Sequence, residues 1–294
     1  MTVTEEEAPL TAQKAHADVA KADSRTKLFN RICAGVLIAF ALIWLVPILW
    51  AIDTAIKPNE ETTQTRWLID NPTFDAFGRV LNDTDILRWF GSSLIISTMT
   101  AIGTVIVASM AGFAFSRMRF KYRNQLFFLV LAGIMIPGQV LIVPQFREMD
   151  SLGLLNTFWA VSATQIPTAV AVFIFKQFFD GLPRELDESA RIDGANFWGI
   201  YRRVVMPLAR PAVAAVVIFA FVQSWNDLLW PLLVLSNPDI MTIPVGLATV
   251  QGSFGIRYAD VMASAVLGAV PLVAVFLLFQ RNIVEGIAGT GLKG

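Results

Sequence analysis

Six apolar runs, each about as long as a lipid bilayer is thick, constrain the fold of this chain more than any other feature. They cover approximately residues 32–54, 92–116, 125–143, 158–178, 212–235 and 260–281. A hydrocarbon core about 30 Å thick takes roughly 20 helical residues to cross. Single strands would leave backbone groups unpaired in lipid, and the short alternating segments of a barrel are missing. The sequence therefore predicts an all-α, polytopic membrane protein with six transmembrane helices.

Composition agrees with this class and excludes others. The chain is 55% hydrophobic and only 16% charged, with a formal net charge of zero. Its basic residues are scattered between the apolar runs, which argues against a nucleic-acid partner. Cys33 is the one cysteine and His16 the one histidine, so we expect no disulfide within the chain and no metal site. Residues 1–31 are predicted to form a polar tail and residues 32–294 the membrane domain.

Orientation follows from the basic residues, which favour the cytoplasmic side. The loop after the second run, residues 117–123, holds four basic residues and no acid, whereas the loop after the third holds Arg147 beside Glu148 and Asp150. Both termini are therefore predicted to be cytoplasmic. Four tryptophans fall at predicted outer ends, as an interfacial aromatic belt would: Trp50, Trp89, Trp159 and Trp230.

A polar segment, residues 183–207, interrupts the apolar pattern on the predicted cytoplasmic side. Pro183 suits the first position of a helix, where its missing N–H costs nothing. Gly194 is expected to stop that helix, and Asn196 to cap a second one that ends at Pro207. Acids follow Pro183 near the positive end of the helix dipole: Glu185, Asp187 and Glu188. The segment thus predicts a helix, a glycine turn and a second helix.

This segment resembles a loop of permease subunits in ATP-binding-cassette importers, which reads Glu-Ala-Ala, Gly, then Ile-x-Leu-Pro. The matching residues are Glu188-Ser189-Ala190, Asp193-Gly194 and Val204-Val205-Met206-Pro207. Ser189, Val204 and Met206 are mild departures from the pattern. Further resemblance lies in residues 47–50, 57–58, 111–117, 136–139, 225–231 and 290–294. The chain is most similar to sugar permeases of the maltose and glycerol-phosphate type, and to the second permease of such pairs.

The resemblance implies the type I importer permease fold, a bacterial plasma-membrane location and a cytoplasmic coupling helix that seats in an ATPase groove. It implies as coupling residues Glu188, Ser189, Ala190, Asp193, Gly194 and Pro207. The implied partners are a second permease in a heterodimer, two cytoplasmic ATPases, an extracytoplasmic binding protein and a sugar. Because the chain lacks a phosphate-binding Gly-x-x-x-x-Gly-Lys-Ser/Thr loop, ATP and Mg are expected on the ATPases, with no cofactor here. Alternatively, Phe197, Trp198 and Tyr201 pack against the chain's own helices.

Polar and bent positions within the apolar runs are candidates for the sugar path and the gate. Path candidates are Trp225, Asn226, Asp227, Gln139 and Gln165, because aromatic, amide and carboxylate groups suit hydroxyl-rich ligands. Alternatively, Asn226 and Asp227 hold neighbouring helices together. Three prolines are predicted to interrupt their helices and are candidate gating bends, or bends that serve packing: Pro137, Pro167 and Pro271.

Other functions stay open at this point. The chain could be an importer permease for glycerol-phosphate, peptides or amino acids. An ion-coupled carrier would show inverted repeats and several intramembrane acids, whereas only Asp227 lies deep. A membrane-embedded enzyme would show clustered histidines or acids at catalytic spacing, and we find none in the sequence, so no catalysis is expected.

Overall fold

Helices make up every regular element in the part of the chain that the computed structural model describes. That part comprises residues 8–62, 71–253 and 257–291, with side chains for residues 27–62, 71–249 and 257–278. The α-helices are α1 (Ala8–Ala55), α2 (Asp75–Asp83), α3 (Ile86–Arg117), α4 (Arg123–Ala132), α5 (Ile142–Ser151), α6 (Phe158–Gln165), α7 (Ala169–Asp180), α8 (Glu185–Ile192), α9 (Phe197–Ile200), α10 (Met206–Leu208), α11 (Arg210–Asn226), α12 (Leu229–Val234), α13 (Ile243–Ser253) and α14 (Tyr258–Gly291). A π-helical turn, Tyr201–Val205, joins α9 to α10.

Among the residues that the structure describes, three helical segments are long and apolar enough to cross a membrane: Lys27–Ala55, Ile86–Arg117 and Tyr258–Leu278. Three bent helix pairs raise the number to six if each pair is one span, with bends of 93°, 49° and 79°. The pairs are Arg123–Met135 with Gly138–Ser151, Phe158–Gln165 with Ala169–Asp180, and Phe197–Leu208 with Arg210–Asn226. The all-α, polytopic prediction is therefore confirmed, and the count of six spans stays a prediction.

The first helix continues through the predicted boundary between tail and membrane domain. α1 is unbroken from Ala8 to Ala55, a length of 48 residues. At 1.5 Å per residue it extends about 72 Å, more than twice the thickness of a hydrocarbon core. Part of α1 must therefore lie outside the bilayer, and the division at residue 31 stays a prediction.

α3 is the central helix, and small side chains let its neighbours approach closely. It packs against α6, α7, α11 and α13. Its buried small residues are Ser92, Ser93, Ser97, Thr100, Ala101, Thr104, Ala108, Ser109, Gly112 and Ser116. A Cβ added at Gly112 would lie 2.7 Å from the Cβ of Phe175 in α7. Because lipid gives apolar helices little reason to associate, such close packing contributes much of the attraction between them.

Three buried tryptophans among the described residues tie separate helices together through their indole N–H groups, and one of them, Trp225, donates to the carbonyl of Gly268 at 3.1 Å. Trp89 donates to the carbonyl of Pro238 at 3.1 Å, and Trp230 donates to that of Ala160 at 3.0 Å. Trp89 and Trp230 are therefore enclosed by protein and satisfied there, and their predicted position at the outer ends of the spans stays a prediction. Trp159 is exposed, as an interfacial residue would be.

The three predicted proline bends have different outcomes. Pro137 and Pro167 each lie in the break between two helices of a bent pair. Pro271, in contrast, lies inside α14, which continues without interruption. The prediction of an interruption at Pro271 is wrong, since a membrane helix tolerates the loss of one backbone hydrogen bond when neighbouring helices pack against it. Whether any of these positions serves a gate stays a prediction.

Candidate functional site

The polar segment forms the predicted helix, turn and second helix, with shifted ends. α8 begins at Glu185, two residues after Pro183. Gly194 has φ +82°, a left-handed conformation in which glycine avoids the strain of a side chain, and it follows the last turn of α8. The side-chain oxygen of Asn196 accepts a hydrogen bond from the Gly199 N–H at 2.8 Å. The glycine stop and the asparagine cap are therefore confirmed.

Pro207 does not end the second helix as predicted. Helical backbone continues to Leu208, and the bend to α11 follows at Ala209. The reason lies in the π-helical turn before the proline, where the Met206 N–H bonds to the Tyr201 carbonyl. Such a widened turn is one of the ways in which a helix accommodates local strain in its hydrogen-bond ladder.

A buried ion pair anchors α8 to the end of α3. Arg117 Nη1 lies 3.4 Å from Asp187 Oδ2, and the two side chains are only 4% and 12% exposed. Arg117 Nη2 also donates to the Leu182 carbonyl at 2.9 Å. The sequence interpretation treated Asp187 only as an acid near the helix dipole and missed this pair. The sequence offers one weak signal, because Asp187 precedes the small Ala190 by three residues and so shares its helix face.

The same ends of α3, α7 and α4 are joined by a second polar group. Ser116 Oγ donates to Asp180 Oδ1 at 2.6 Å, and Lys176 Nζ donates to Asp180 Oδ2 at 2.6 Å. The Lys176 ammonium also lies 4.8 Å from the ring centroid of Phe127. These contacts link the end of α3 directly to α7 and α4.

The aromatic residues of the second helix divide between the chain's own core and the surface. The Tyr201 hydroxyl lies 2.8 Å from Ser109 Oγ of α3, and its ring lies 5.4 Å from that of Phe113. Phe197 and Trp198 are exposed, although Trp198 stacks on Tyr201 and Phe197 lies under Arg191. The alternative interpretation, packing against the chain's own helices, is thus confirmed for Tyr201.

The outward side of this segment is exposed and mixes apolar with charged side chains; the charged ones include Glu185, Glu188 and Arg191. Its apolar residues lie around Glu188, and we call this part the loop face and define it as Leu186, Glu188, Ser189, Ile192, Phe197 and Trp198. Ile192 is 88% exposed, an extreme value for an isoleucine outside the predicted spans. Asp193 is also exposed and caps α8 through its backbone N–H. No ion pair within the described residues involves Glu188, so its carboxylate is available to a partner.

The predicted path residues do not form one cluster. Gln165 Nε2 donates to Asp227 Oδ2 at 2.8 Å, which joins the end of α6 to the break between α11 and α12. Trp225 is 3% exposed and stacks on Phe221, and Asn226 bonds to the Val222 carbonyl of its own helix. Gln139 is exposed and takes no part in these contacts. This arrangement favours the structural interpretation for Asp227, which joins two helices, but not for Asn226, which bonds within its own helix.

An ion pair missed by the sequence interpretation joins α2 to the start of α14. Arg79 donates to Asp260 through Nη2 at 2.7 Å and through Nε at 3.1 Å. The hydrogen bond to Asp260 raises the pKa of Arg79 above its ordinary value. The described residues contain no group of three or more His, Cys, Asp or Glu side chains that could hold a metal ion.

Comparisons with known proteins agree with this architecture. The family described as "Binding-protein-dependent transport system inner membrane component" matches residues 104–288. The arabinooligosaccharides transport system permease protein AraQ of Halalkalibacterium halodurans is 38% identical over 259 residues, which cover 86% of this chain and 93% of AraQ. The diacetylchitobiose uptake system permease protein NgcG of Streptomyces coelicolor is 30% identical over 272 residues, covering 91% and 90%.

A solved structure is similar at the level of the fold. It is the crystal structure of a bacterial transporter involved in the import of the acidic polysaccharide alginate, with a TM-score of 0.78 at 23% identity. The match covers 87% of this chain and 97% of that chain. Together with the family match over most of the membrane domain, these likenesses place the chain among transport components rather than enzymes. The chain belongs to the family of inner membrane components of binding-protein-dependent transport systems.

Proposed function

We propose that this chain is a permease subunit of an ATP-driven importer and that α8 couples its movement to a separate ATPase. The observation that carries the coupling proposal is the two-sided character of α8. Asp187 and Ala190 hold one side against the chain's own helices, while the loop face presents Leu186, Glu188 and Ile192 outward. A helix fixed to its own subunit on one side and open on the other is suited to transmit a partner's movement.

The proposed substrate is a sugar, whether a mono-, di- or oligosaccharide or a derivative, delivered by an extracytoplasmic binding protein. Support comes from the relatives, whose names refer to arabinooligosaccharides and diacetylchitobiose. These substrates differ in sugar and linkage, so they favour the class and leave the individual sugar open. Binding of candidate sugars to the solute-binding protein encoded with this chain would identify it.

We place six spans in a bacterial plasma membrane, with both termini and the loop face in the cytoplasm. The basic loop at residues 117–123 supports this orientation, because Arg117 of that loop contacts α8 directly and so puts both on one side. One coupling helix per chain, against the two ATPases implied by the family resemblance, supports a second permease as partner. ATP and Mg then belong to the ATPases.

Glu188→Arg tests the coupling proposal. The substitution reverses the charge of the loop face at Glu188, so a cationic partner residue that contacts this acid would meet a cation instead. Like-charge juxtaposition at an interface costs several kcal/mol, so we expect uptake to fall at least about tenfold and the ATPase to copurify poorly. Glu148→Arg is a matched control, since Glu148 is an exposed acid on α5.

The measurement combines sugar uptake in cells, ATPase copurification and the amount of chain in the membrane fraction. Unchanged membrane insertion with lost uptake and lost ATPase in Glu188→Arg, but not in Glu148→Arg, is the expected result. Wild-type uptake with normal ATPase association in Glu188→Arg would refute the coupling role. Transport by this chain alone in liposomes under an ion gradient would refute the importer itself.

A further inference from the structure

A basic cavity of about 400 Å³, shallow and open to its surroundings, lies beside α8 and is separate from the loop face. Three arginines line it, Arg119, Arg123 and Arg184, with Phe120 and Tyr122 as its apolar wall. No acidic residue lines the cavity, and no ion pair within the described part of the chain involves these three arginines.

The N-terminal turn of α4 adds to the positive character of this cavity. Asn124 and Gln125, both in that turn, line it. The preceding residue, Tyr122, has φ +64° and provides no side-chain cap for α4. The first N–H groups of α4 and the positive end of its dipole are therefore open to an anion, in addition to three guanidinium groups that suit phosphate oxygens.

The surroundings of the cavity indicate a lipid as the source of that anion. Phe128 and Leu129, about one turn further along α4, are both highly exposed and apolar. They continue from the mouth of the cavity along a helix that belongs to a predicted span. A headgroup phosphate in the cavity would thus have a surface for its acyl chains directly beside it, which free phosphate would not use.

We propose that this cavity binds the phosphate of an anionic phospholipid in the cytoplasmic leaflet; the choice of leaflet rests on the topology given under the proposed function. Three cations without a lining acid favour an anionic headgroup over a zwitterionic one, whose own ammonium they repel. Arg184 directly precedes α8, so the bound headgroup lies beside the coupling helix.

Native mass spectrometry of the detergent-purified transporter containing this chain tests the proposal. The probe is an equimolar mixture of dioleoyl phosphatidylglycerol and dioleoyl phosphatidylcholine, added with or without excess inorganic phosphate. The test variant is Arg119→Gln with Arg184→Gln, both exposed residues. The control variant, Arg147→Gln with Arg257→Gln, removes the same charge from exposed arginines outside the cavity.

We expect the wild type and the control variant to bind more phosphatidylglycerol than phosphatidylcholine. In the test variant, the ratio of bound phosphatidylglycerol to bound phosphatidylcholine should fall at least about tenfold. Inorganic phosphate should not displace the lipid. Equal preference in all three proteins, or full displacement by phosphate, would overturn the proposal. If the test variant does not assemble, the relative binding of the two lipids to the wild-type transporter decides. Equal binding of both lipids to the wild type would then overturn the proposal. Lipid binding in detergent depends on neither uptake nor ATPase association, so failure here is distinct from failure of the coupling proposal.

Discussion

Asp187→Asn removes the charge that holds α8 against α3 while keeping the shape of the side chain. In the wild type, Arg117 Nη1 lies 3.4 Å from Asp187 Oδ2, and both side chains are nearly enclosed. After the substitution Arg117 keeps its bond to the Leu182 carbonyl but is left as a buried cation without a counter-ion. α8 has eight residues, too few to be stable alone, so its order depends on such contacts.

The expected magnitude follows from this geometry. At 3.4 Å and an effective dielectric constant of about 20, the Coulomb attraction is about 5 kcal/mol before desolvation is subtracted. Removing one partner of a buried pair usually costs ~3–5 kcal/mol, and asparagine, which keeps some hydrogen bonding, belongs at the lower end. A cost of about 3 kcal/mol corresponds to roughly a hundredfold rise in the opening equilibrium of α8.

Hydrogen exchange of the α8 amides, residues 189–192, measures that opening in the purified transporter. We expect roughly hundredfold faster exchange in Asp187→Asn, with α11 unchanged. The double variant Arg117→Met with Asp187→Leu removes both charges and should recover most of the protection, because an apolar pair can replace a buried ion pair. Exchange within about threefold of wild type in Asp187→Asn would refute the claim that this pair anchors α8.

Two glycine substitutions test other parts of the structure. Gly194→Ala should destabilise the end of α8 by about 1 kcal/mol and lower uptake, because φ is +82° there. The control is Gly153→Ala, where φ is +67° and no neighbour is close. It introduces a similar backbone strain but should leave uptake normal. Gly246→Ala should lower the apparent melting temperature, at a cost of about 1–3 kcal/mol in stability, because the added Cβ would lie 2.2 Å from the Trp89 ring. The control is Gly91→Ala, whose added Cβ would meet open space. Equal melting temperatures of the two variants would contradict this packing.

Features set by neighbouring residues were predicted well from the sequence. Apolar runs of bilayer length indicated the helical class, since lipid leaves few other ways to satisfy the backbone. The stop at Gly194 and the cap at Asn196 were predictable because each depends on a few adjacent residues. The error at Pro207 is of the same local kind, since a π-helical turn leaves no distinct sequence signal.

Contacts between distant residues could not be predicted. Arg117 and Asp187, Gln165 and Asp227, and Arg79 and Asp260 are each separated by 62 residues or more. A single sequence gives the polarity of such residues but not the packing that brings them together. For this reason the sequence left two interpretations of Asp227 open, a path residue or a link between helices, and could not show that its carboxylate bonds to Gln165 at a break between helices.

The polar contacts at the end of α3 explain how a small movement of α8 could reach the interior of the chain. The ion pair between Asp187 and Arg117 links α8 to the end of α3, and the hydrogen bond from the adjacent Ser116 to Asp180 links that end to α7. About two turns into the helix, Ser109 meets Tyr201, which belongs to the segment that follows α8. The segment thus holds α3 at two points along its length. Because the small buried side chains of α3 leave little free space against α7 and α11, a rotation at its end must move those helices too.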